Sequence, residues 1–164
     1  MPDRDEQNAD DELFARIYLG LRGFAAMVGW PDLDPDDLVQ EAVARTLRHG
    51  ALSSLEHPTA YLQTVIVRLV RNSWRHRGPR LRAQRTLRAE ATSTADRYPS
   101  ELDELRRLEP ADRAVVYLAV IEQRPYADIA QLLGIREATA RKRASRALQR
   151  LRAELTETEP EAHS

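Results

Sequence analysis

Apolar residues return every three or four positions in several segments, and polar or proline-containing stretches separate these segments. Residues 13–29 follow this spacing, which predicts a helix with one buried face. A second helix is predicted after Asp34-Pro35, because aspartate can cap free amides and proline suits the first helical position. A third helix is expected from Pro58 to about Arg77. The predicted core positions of the three helices are Phe14, Ile17, Leu21, Phe24, Ala25, Val28, Leu38, Val39, Ala42, Val43, Leu47, Tyr61, Leu62, Val65, Ile66, Leu69 and Val70.

The apolar periodicity fades over residues 78–100, which contain Gly78, Pro79 and a stretch rich in Thr, Ser and Ala. This composition predicts a linker between two helical modules. As an alternative, the first half of the segment extends the third helix. In the second module a helix follows Pro110 and breaks at Arg124-Pro125. Its predicted apolar face consists of Val115, Val116, Leu118, Ala119 and Ile121.

Residues 126–152 carry the most informative pattern of the chain. A short apolar helix stops at Leu133-Gly134-Ile135, where glycine suits the left-handed residue of a tight turn. An arginine-rich helix begins at once, with Glu137 as its one acid and an inward stripe of Ala and Leu. This is the arrangement of a helix-turn-helix, whose cationic helix can enter a DNA major groove. An antiparallel helix pair with a solvated basic face is the alternative.

Composition sets the class of the protein. The 164 residues suffice for one ordinary domain or two small ones, and 42% of them are hydrophobic but only 5% aromatic. With no strand-like alternation, this predicts an all-α fold of two small helical domains joined by a linker, the second a helix-turn-helix. The chain has no cysteine, which excludes disulfides, thiolate catalysis and zinc–cysteine sites. No apolar run reaches transmembrane length and the N-terminus is acidic, so we expect a cytoplasmic protein without membrane insertion.

The charge of the chain is segregated, although the net charge is only −1. Residues 68–88 contain eight arginines and no acid, whereas residues 1–12 contain six acids and one arginine. Two basic blocks, here and in the helix-turn-helix, indicate two contacts with a polyanion.

Sites for catalysis and cofactors are not recognisable in the sequence. The acidic run 32–37 lacks the glycine that a calcium loop requires, and its capping role explains it better. His49, His57, His76 and His163 show no metal-ligand spacing. There is no phosphate-binding glycine loop and no nucleophile motif. We therefore expect no catalytic residue, no metal and no cofactor, and a protein that is not an enzyme.

Three segments together resemble one family, the bacterial RNA polymerase sigma factors. Their polymerase-binding helix resembles DPDDLVQEAVARTLRH. Their next helix, which binds and helps melt the downstream promoter element, resembles HPTAYLQTVIVRLVRNSWRHR. Their C-terminal domain, which reads the upstream (−35) element, resembles LEPADRAVVYLAVIEQRPYADIAQLLGIREATARKRASRALQRLR. The order of the segments matches the extracytoplasmic-function group, and RNSWRHR is similar to its actinobacterial SigE-type branch.

The resemblance implies an alternative sigma factor, which directs the RNA polymerase core enzyme to specific promoters and assists promoter opening. It implies sigma domain two over 12–77, the linker over 78–100 and sigma domain four over 101–155. The implied polymerase-binding residues are Asp37, Gln40 and Glu41. The implied downstream-element face consists of Arg68, Arg71, Asn72 and Arg75, and the loop 50–57 of the same module would hold an extruded base. The implied upstream-element residues are Arg136, Thr139, Arg141, Lys142, Ser145 and Arg146.

Departures from the family pattern leave some points open. Gln123-Arg124-Pro125-Tyr126 stands where the family usually has Gly-Leu-Ser-Tyr, and Arg68 and Asn72 replace a common asparagine and aspartate. Promoter preference is therefore not transferred from relatives. Arg143 is placed either for DNA or for an acid inside its domain. Two other functions stay open: a helix-turn-helix regulator that does not bind polymerase, and a polymerase-binding protein that reads no promoter. An anti-sigma factor is a further expected partner.

Overall fold

Six α-helices form the described part of the chain. The computed structural model describes residues 4–91, 105 and 107–157, without the side chains of 74, 77–91, 154, 155 and 157. The helices are α1 (Arg4–Val28), α2 (Pro35–Leu47), α3 (Pro58–Ala91), α4 (Pro110–Val116), α5 (Tyr126–Leu133) and α6 (Glu137–Glu157). A 3₁₀ turn (Leu52–Ser54) precedes α3, and a π-helical turn (Tyr117–Ile121) follows α4. No strand occurs among the described residues, and the predicted all-α class is confirmed.

Helices α1 and α2 pack together through apolar and polar contacts. Helix α1 begins nine residues before the predicted start, and Leu21, Phe24, Ala25 and Val28 are its buried residues. Helix α2 begins as predicted, because Pro35 is its first residue and the Asp34 side chain accepts a hydrogen bond from the Asp36 amide at 2.8 Å. The Asp36 carboxylate in turn accepts hydrogen bonds from Arg22 and from the hydroxyl of Tyr18 on α1.

Helix α3 is longer than predicted. The expected end near Arg77 is wrong, because the helix continues through Gly78 and Pro79 to Ala91. The alternative, a basic extension of this helix, is what the structure contains. Arginine, leucine, alanine and glutamine dominate residues 80–91, and their high helix propensities favour this extension over a loop. The rest of the predicted linker, 92–100, lies outside the described residues.

The two predicted modules pack against each other and share one hydrophobic cluster. Helices α1 and α3 contact α4, and α3 also contacts α5. The ring of Phe24 on α1 meets the edge of Tyr117 with 5.4 Å between centroids. The Gln63 amide of α3 donates to Glu122 at 2.6 Å, and the Thr64 hydroxyl donates to the Leu132 carbonyl at 3.1 Å. These contacts place the helix-turn-helix directly beside the first module.

Three predicted core residues are exposed instead. Leu47 is 47% exposed at the end of α2, where Thr46 is buried and donates its hydroxyl to the Ala42 carbonyl. Tyr61 is 42% exposed because it lines a cleft of about 630 Å³ between the first turn of α3 and α5. Ile121 is 62% exposed at the end of the π-helical turn. The wider π turn changes the angular position of each residue and so moves Ile121 off the predicted face.

Candidate nucleic-acid and polymerase interfaces

The predicted helix-turn-helix is present as α5, a short turn and α6. Gly134 adopts φ 65° and ψ 38° at the end of α5, and its amide donates to the carbonyls of the preceding turn of the helix. A left-handed residue is favourable for glycine and redirects the chain sharply. The inward residues of α6 are Ala140, Ala144 and Ala147, all at most 2% exposed. The alanine stripe lets α6 lie close to its neighbours and leaves the arginines outside.

Five of the six predicted upstream-element residues are exposed on α6 or at its start. They are Arg136, Arg141, Lys142, Ser145 and Arg146. Thr139, the sixth, is only partly buried. A helix that is tightly packed on one side and cationic on the other suits the major groove of DNA. Arg150 and Arg152 are also exposed, farther along the helix, and neither is ion-paired with a described residue.

Two arginines of α6 are held by other side chains. Arg143 is ion-paired with Asp112 of α4 at 3.0 Å, so the structural alternative that the sequence left open for this residue is confirmed. Arg141 is ion-paired with Glu137 one turn earlier at 2.5 Å, and its guanidinium lies 5.1 Å from the ring centroid of Tyr126 on α5. Neither contact of Arg141 was predicted from the sequence, although the spacing of four residues between Glu137 and Arg141 is usual for a helical ion pair.

The turn before α5 contains a strained residue. Gln123 has φ 52°, a left-handed conformation that costs a residue with a Cβ about 1–2 kcal/mol. It stands where the resembled family usually has glycine. The turn is braced by its neighbours, since Arg124 is ion-paired with Glu122 at 2.6 Å. The rest of the structure therefore maintains this turn despite the missing glycine.

The predicted polymerase-binding residues share one exposed face of α2. Asp37, Gln40 and Glu41 are all exposed, on the side opposite Leu38, Val39 and Ala42. Their spacing of three and four residues keeps them on one side of the helix. A hydrogen bond from Arg45, at 2.6 Å, holds the pKa of Glu41 below its ordinary value. Asp37 and Glu41 both lie at the surface, Glu41 in an exposed ion pair with Arg45, whereas Asp34 caps α2 and Asp36 is bound to α1.

The predicted downstream-element face lies in the middle of α3. Arg68, Arg71, Asn72 and Arg75 are all exposed. None of the three arginines is ion-paired with a residue that the structure describes. The opposite side of the helix is buried at Leu62, Ile66 and Val70, which fixes the basic side toward solvent.

The loop 50–57 is attached to the start of α1 by Asp10, a contact that the sequence analysis did not anticipate. The Asp10 carboxylate accepts hydrogen bonds from the amides of Ser53 at 2.7 Å and Leu52 at 3.1 Å. Partial burial raises the pKa of Asp10, but the hydrogen bonds from the Ser53 side chain and from these amides outweigh it and leave the pKa below its ordinary value. Asp10 is more than 40 positions away from Leu52 and Ser53 in the sequence, so no local sequence signal marks the contact.

Within the described ranges, no group of three or more His, Asp or Glu side chains could hold a metal ion. The same part of the chain contains no helix that is long and apolar enough to cross a lipid bilayer.

Comparisons with known proteins point to one family. Residues 102–151 match the family model for sigma-70, region 4. The chain is 32% identical to the RNA polymerase sigma factor CarQ of Myxococcus xanthus, over 94% of each chain. The fold matches the sigma factor RpoE of Bartonella quintana, solved in complex with the anti-sigma factor NepR. That match has a TM-score of 0.61 and 20% identity, and it covers 92% of this chain and 98% of the other.

The relative from Myxococcus xanthus aligns with nearly the whole chain, and the helix-turn-helix lies within the matched region 4. Members of this family are transcription initiation factors that bind RNA polymerase core enzyme and promoter DNA, and they carry no catalytic activity of their own. The chain therefore belongs to the bacterial RNA polymerase sigma factors of the extracytoplasmic-function group, and it is an alternative sigma factor.

Proposed function

We propose that the polymerase contact of this sigma factor is the exposed α2 face formed by Asp37, Gln40 and Glu41. The observation that carries this proposal is that the acids of α2 and its N-cap fall into two groups, one bound within the fold and one exposed on a single helix face. Asp34 and Asp36 are used within the fold, whereas Asp37, Gln40 and Glu41 are exposed on the side opposite the buried Leu38, Val39 and Ala42. An acidic helix face of this kind suits a basic surface of the polymerase largest subunit.

We propose that Arg68, Arg71, Asn72 and Arg75 meet the promoter where it opens. Three arginines on one helix face, without an ion-pair partner among the described residues, can bind the phosphates of a DNA strand. The loop 50–57 of the same module, held by Asp10, would receive a base that leaves the stack. Unstacking a base costs a few kcal/mol, which contacts in the loop and phosphate contacts on α3 would supply.

The upstream element is assigned in this proposal to the exposed face of α6. The residues involved are Arg136, Thr139, Arg141, Lys142, Ser145 and Arg146. In the same proposal, residues 12–77 act as sigma domain two, 78–100 as the linker and 101–155 as sigma domain four.

Three finer assignments complete the proposal. The RNSWRHR run supports the SigE-type branch of the group. Because this sigma factor acts with RNA polymerase, we propose that it is cytoplasmic, since bacterial genes are transcribed in the cytoplasm. An anti-sigma factor is a candidate partner, because the related sigma factor from Bartonella quintana was solved in complex with one.

The test combines two measurements on the full chain and core RNA polymerase from the same organism. Replacing Gln40 and Glu41 by Ala should weaken binding to core polymerase at least tenfold, the size of effect seen when central interface residues are truncated. The double variant Asp11→Ala/Glu12→Ala is the matched control, because it also removes two exposed polar residues from a helix. Its affinity for core polymerase should equal that of the unchanged chain.

Folding should not explain the loss. Removing Glu41 breaks an ion pair with Arg45 that is exposed to solvent, and exposed pairs contribute little to stability. Equal affinity of the α2 variant and the unchanged chain would show that polymerase binds elsewhere. Run-off transcription from genomic fragments then tests the function itself. Promoter-dependent transcripts are expected. DNA binding alone would indicate a regulator, and polymerase binding alone an interaction protein.

A further inference from the structure

Among the cationic residues of the α6 face, Arg141 is distinguished by being held from two sides. Glu137 Oε1 accepts hydrogen bonds from Arg141 Nε at 3.2 Å and from its terminal Nη2 at 2.5 Å. The guanidinium carbon Cζ lies over the ring of Tyr126, 5.1 Å from its centroid. One partner lies on α6 and the other at the start of α5. The guanidinium is therefore oriented by both helices of the helix-turn-helix.

The contacts leave one edge of the guanidinium available. An arginine side chain carries five N–H donors in a planar fork. Glu137 uses the Nε–H and one Nη2–H, which form the side edge. The end edge, with one Nη1 hydrogen and the second Nη2 hydrogen, remains available. Two parallel donors at that edge match the O6 and N7 acceptors that guanine presents in the major groove.

The other cations of this face differ from Arg141. Arg136, Lys142 and Arg146 are exposed, and none of them is ion-paired with a described residue. Fixing a long side chain in one geometry costs conformational entropy, which favours preorganised donors for base reading. Cations without such restraint can still bind phosphates, because that contact depends mainly on charge.

We propose that Glu137 and Tyr126 are positioning residues that hold Arg141 as the guanine-reading residue of α6, while Arg136, Lys142 and Arg146 bind phosphates. The inference rests on the proposed assignment of α6 to the upstream element and adds which side chain reads a base. The two positioning residues touch Arg141 and need not touch DNA.

Two possible roles of Glu137 predict different effects of its removal on DNA binding. An acid near DNA repels phosphate, so its removal should strengthen binding to all sequences if it merely opposes the surrounding cations. If it instead orients Arg141, its removal should reduce the preference for one base at one position. Glu137→Gln tests this choice, because it removes the charge while keeping the size of the side chain.

The experiment uses the full chain with core RNA polymerase from the same organism and a promoter found by run-off transcription. The upstream element of that promoter is randomised, each variant is paired with a barcode in the transcribed region, and sequencing the barcodes in the transcripts gives the preference at every position. Arg141→Ala should lower the preference for guanine at one position by about 5- to 150-fold, the range for a bidentate arginine–guanine contact. Glu137→Gln and Tyr126→Leu should lower the preference at that same position.

The controls separate positioning from folding and from direct reading. Tyr126→Phe keeps the ring and should keep the preference, and Arg146→Ala should weaken transcription evenly across the library. In an Arg141→Ala background, Glu137→Gln should change no preference further, because coupled residues are not additive. Melting temperatures of the variants, followed by circular dichroism, identify any loss through unfolding.

The outcomes distinguish the inference from the proposed function. Absence of promoter-dependent transcription with the unchanged chain would contradict the proposed function. Normal transcription with unaltered preferences in Arg141→Ala or in Glu137→Gln would overturn only the positioning proposal. A preference change caused by Glu137→Gln in the Arg141→Ala background would also overturn it, since Glu137 would then read a base itself.

Discussion

Helices α3 and α6 are both rich in arginine, but they present their charges differently. The exposed arginines in the middle of α3, at positions 68, 71 and 75, have no ion-pair partner among the described residues. On α6, Arg143 is bound to Asp112 and Arg141 is bound to Glu137, while the other cations of the helix have no ion-pair partner among the described residues. Both helices can bind DNA phosphates, but among the side chains that the structure describes on these two helices, only α6 contains an arginine with an orientation fixed by neighbouring side chains.

The way in which each helix is anchored differs as well. Helix α3 buries bulky side chains, among them Leu62 and Ile66, whereas α6 buries a stripe of alanines. Bulky residues keep a helix axis farther from its neighbours, and small ones allow close approach. The comparison teaches that the number of arginines does not define the task of a helix. Their partners and the packing behind them are more informative.

The largest expected effect tests whether α3 and α6 belong to one folded unit. Phe24 is fully buried on α1 and contacts Tyr117, which precedes α5. Phe24→Ala should lower the free energy of unfolding by about 3–5 kcal/mol, because it leaves a cavity between the modules. Amide hydrogen exchange should then accelerate in α6 as well as in α1–α3.

Leu19→Ala is the matched control on the same helix, because Leu19 is 77% exposed. This substitution should change the free energy of unfolding by no more than about 0.5 kcal/mol. Accelerated exchange in α1–α3 with unchanged protection of α6 would contradict a single unit. It would instead support two modules that fold independently on either side of residues 78–100.

The next effect concerns the unpaired arginines of α3. Replacing Arg68, Arg71 and Arg75 by Ala should weaken promoter binding evenly across sequences and lower the salt slope of the binding constant by about 2–3, near 0.9 per lost phosphate contact. The slope is measured by titrating the polymerase complex with promoter DNA at several salt concentrations. A loss restricted to particular downstream-element sequences would show that these arginines read bases, and the contrast with α6 would fail.

Local signals predicted much of this fold, whereas contacts between distant residues were not predictable. The Asp34-Pro35 start of α2 and the Gly134 turn depend on neighbouring residues, and both are confirmed. The exposed faces of α2 and α6 follow from helical periodicity. Gly78-Pro79 wrongly suggested a helix end, because local breakers can be overridden by the propensity of the surrounding residues. The pairing of Asp10 with the amides of residues 52 and 53 has no counterpart in the sequence pattern.

A smaller effect is expected in the turn that leads into the helix-turn-helix. Gln123→Gly should raise the free energy of unfolding by up to about 1 kcal/mol. Glycine relieves the left-handed strain, but it also gains entropy in the unfolded chain. Chemical denaturation measures the change. Gln123→Ala keeps the Cβ and should give no gain, so equal stabilisation by Ala and Gly would exclude backbone strain as the cause.

The smallest effect concerns the loop 50–57. Asp10→Asn should speed amide hydrogen exchange at Leu52 and Ser53 by roughly three- to tenfold at neutral pH, since each hydrogen bond contributes about 0.5–1.5 kcal/mol. Asp11→Asn, at the adjacent exposed position, should leave both amides unchanged. Because folding lowers the pKa of Asp10, the contact is fully present above the unfolded-state pKa and is lost as the pH falls through the folded-state pKa. The difference between the unchanged chain and Asp10→Asn should therefore shrink in acid. A difference that grows as the pH falls would show that the charged carboxylate does not hold the loop.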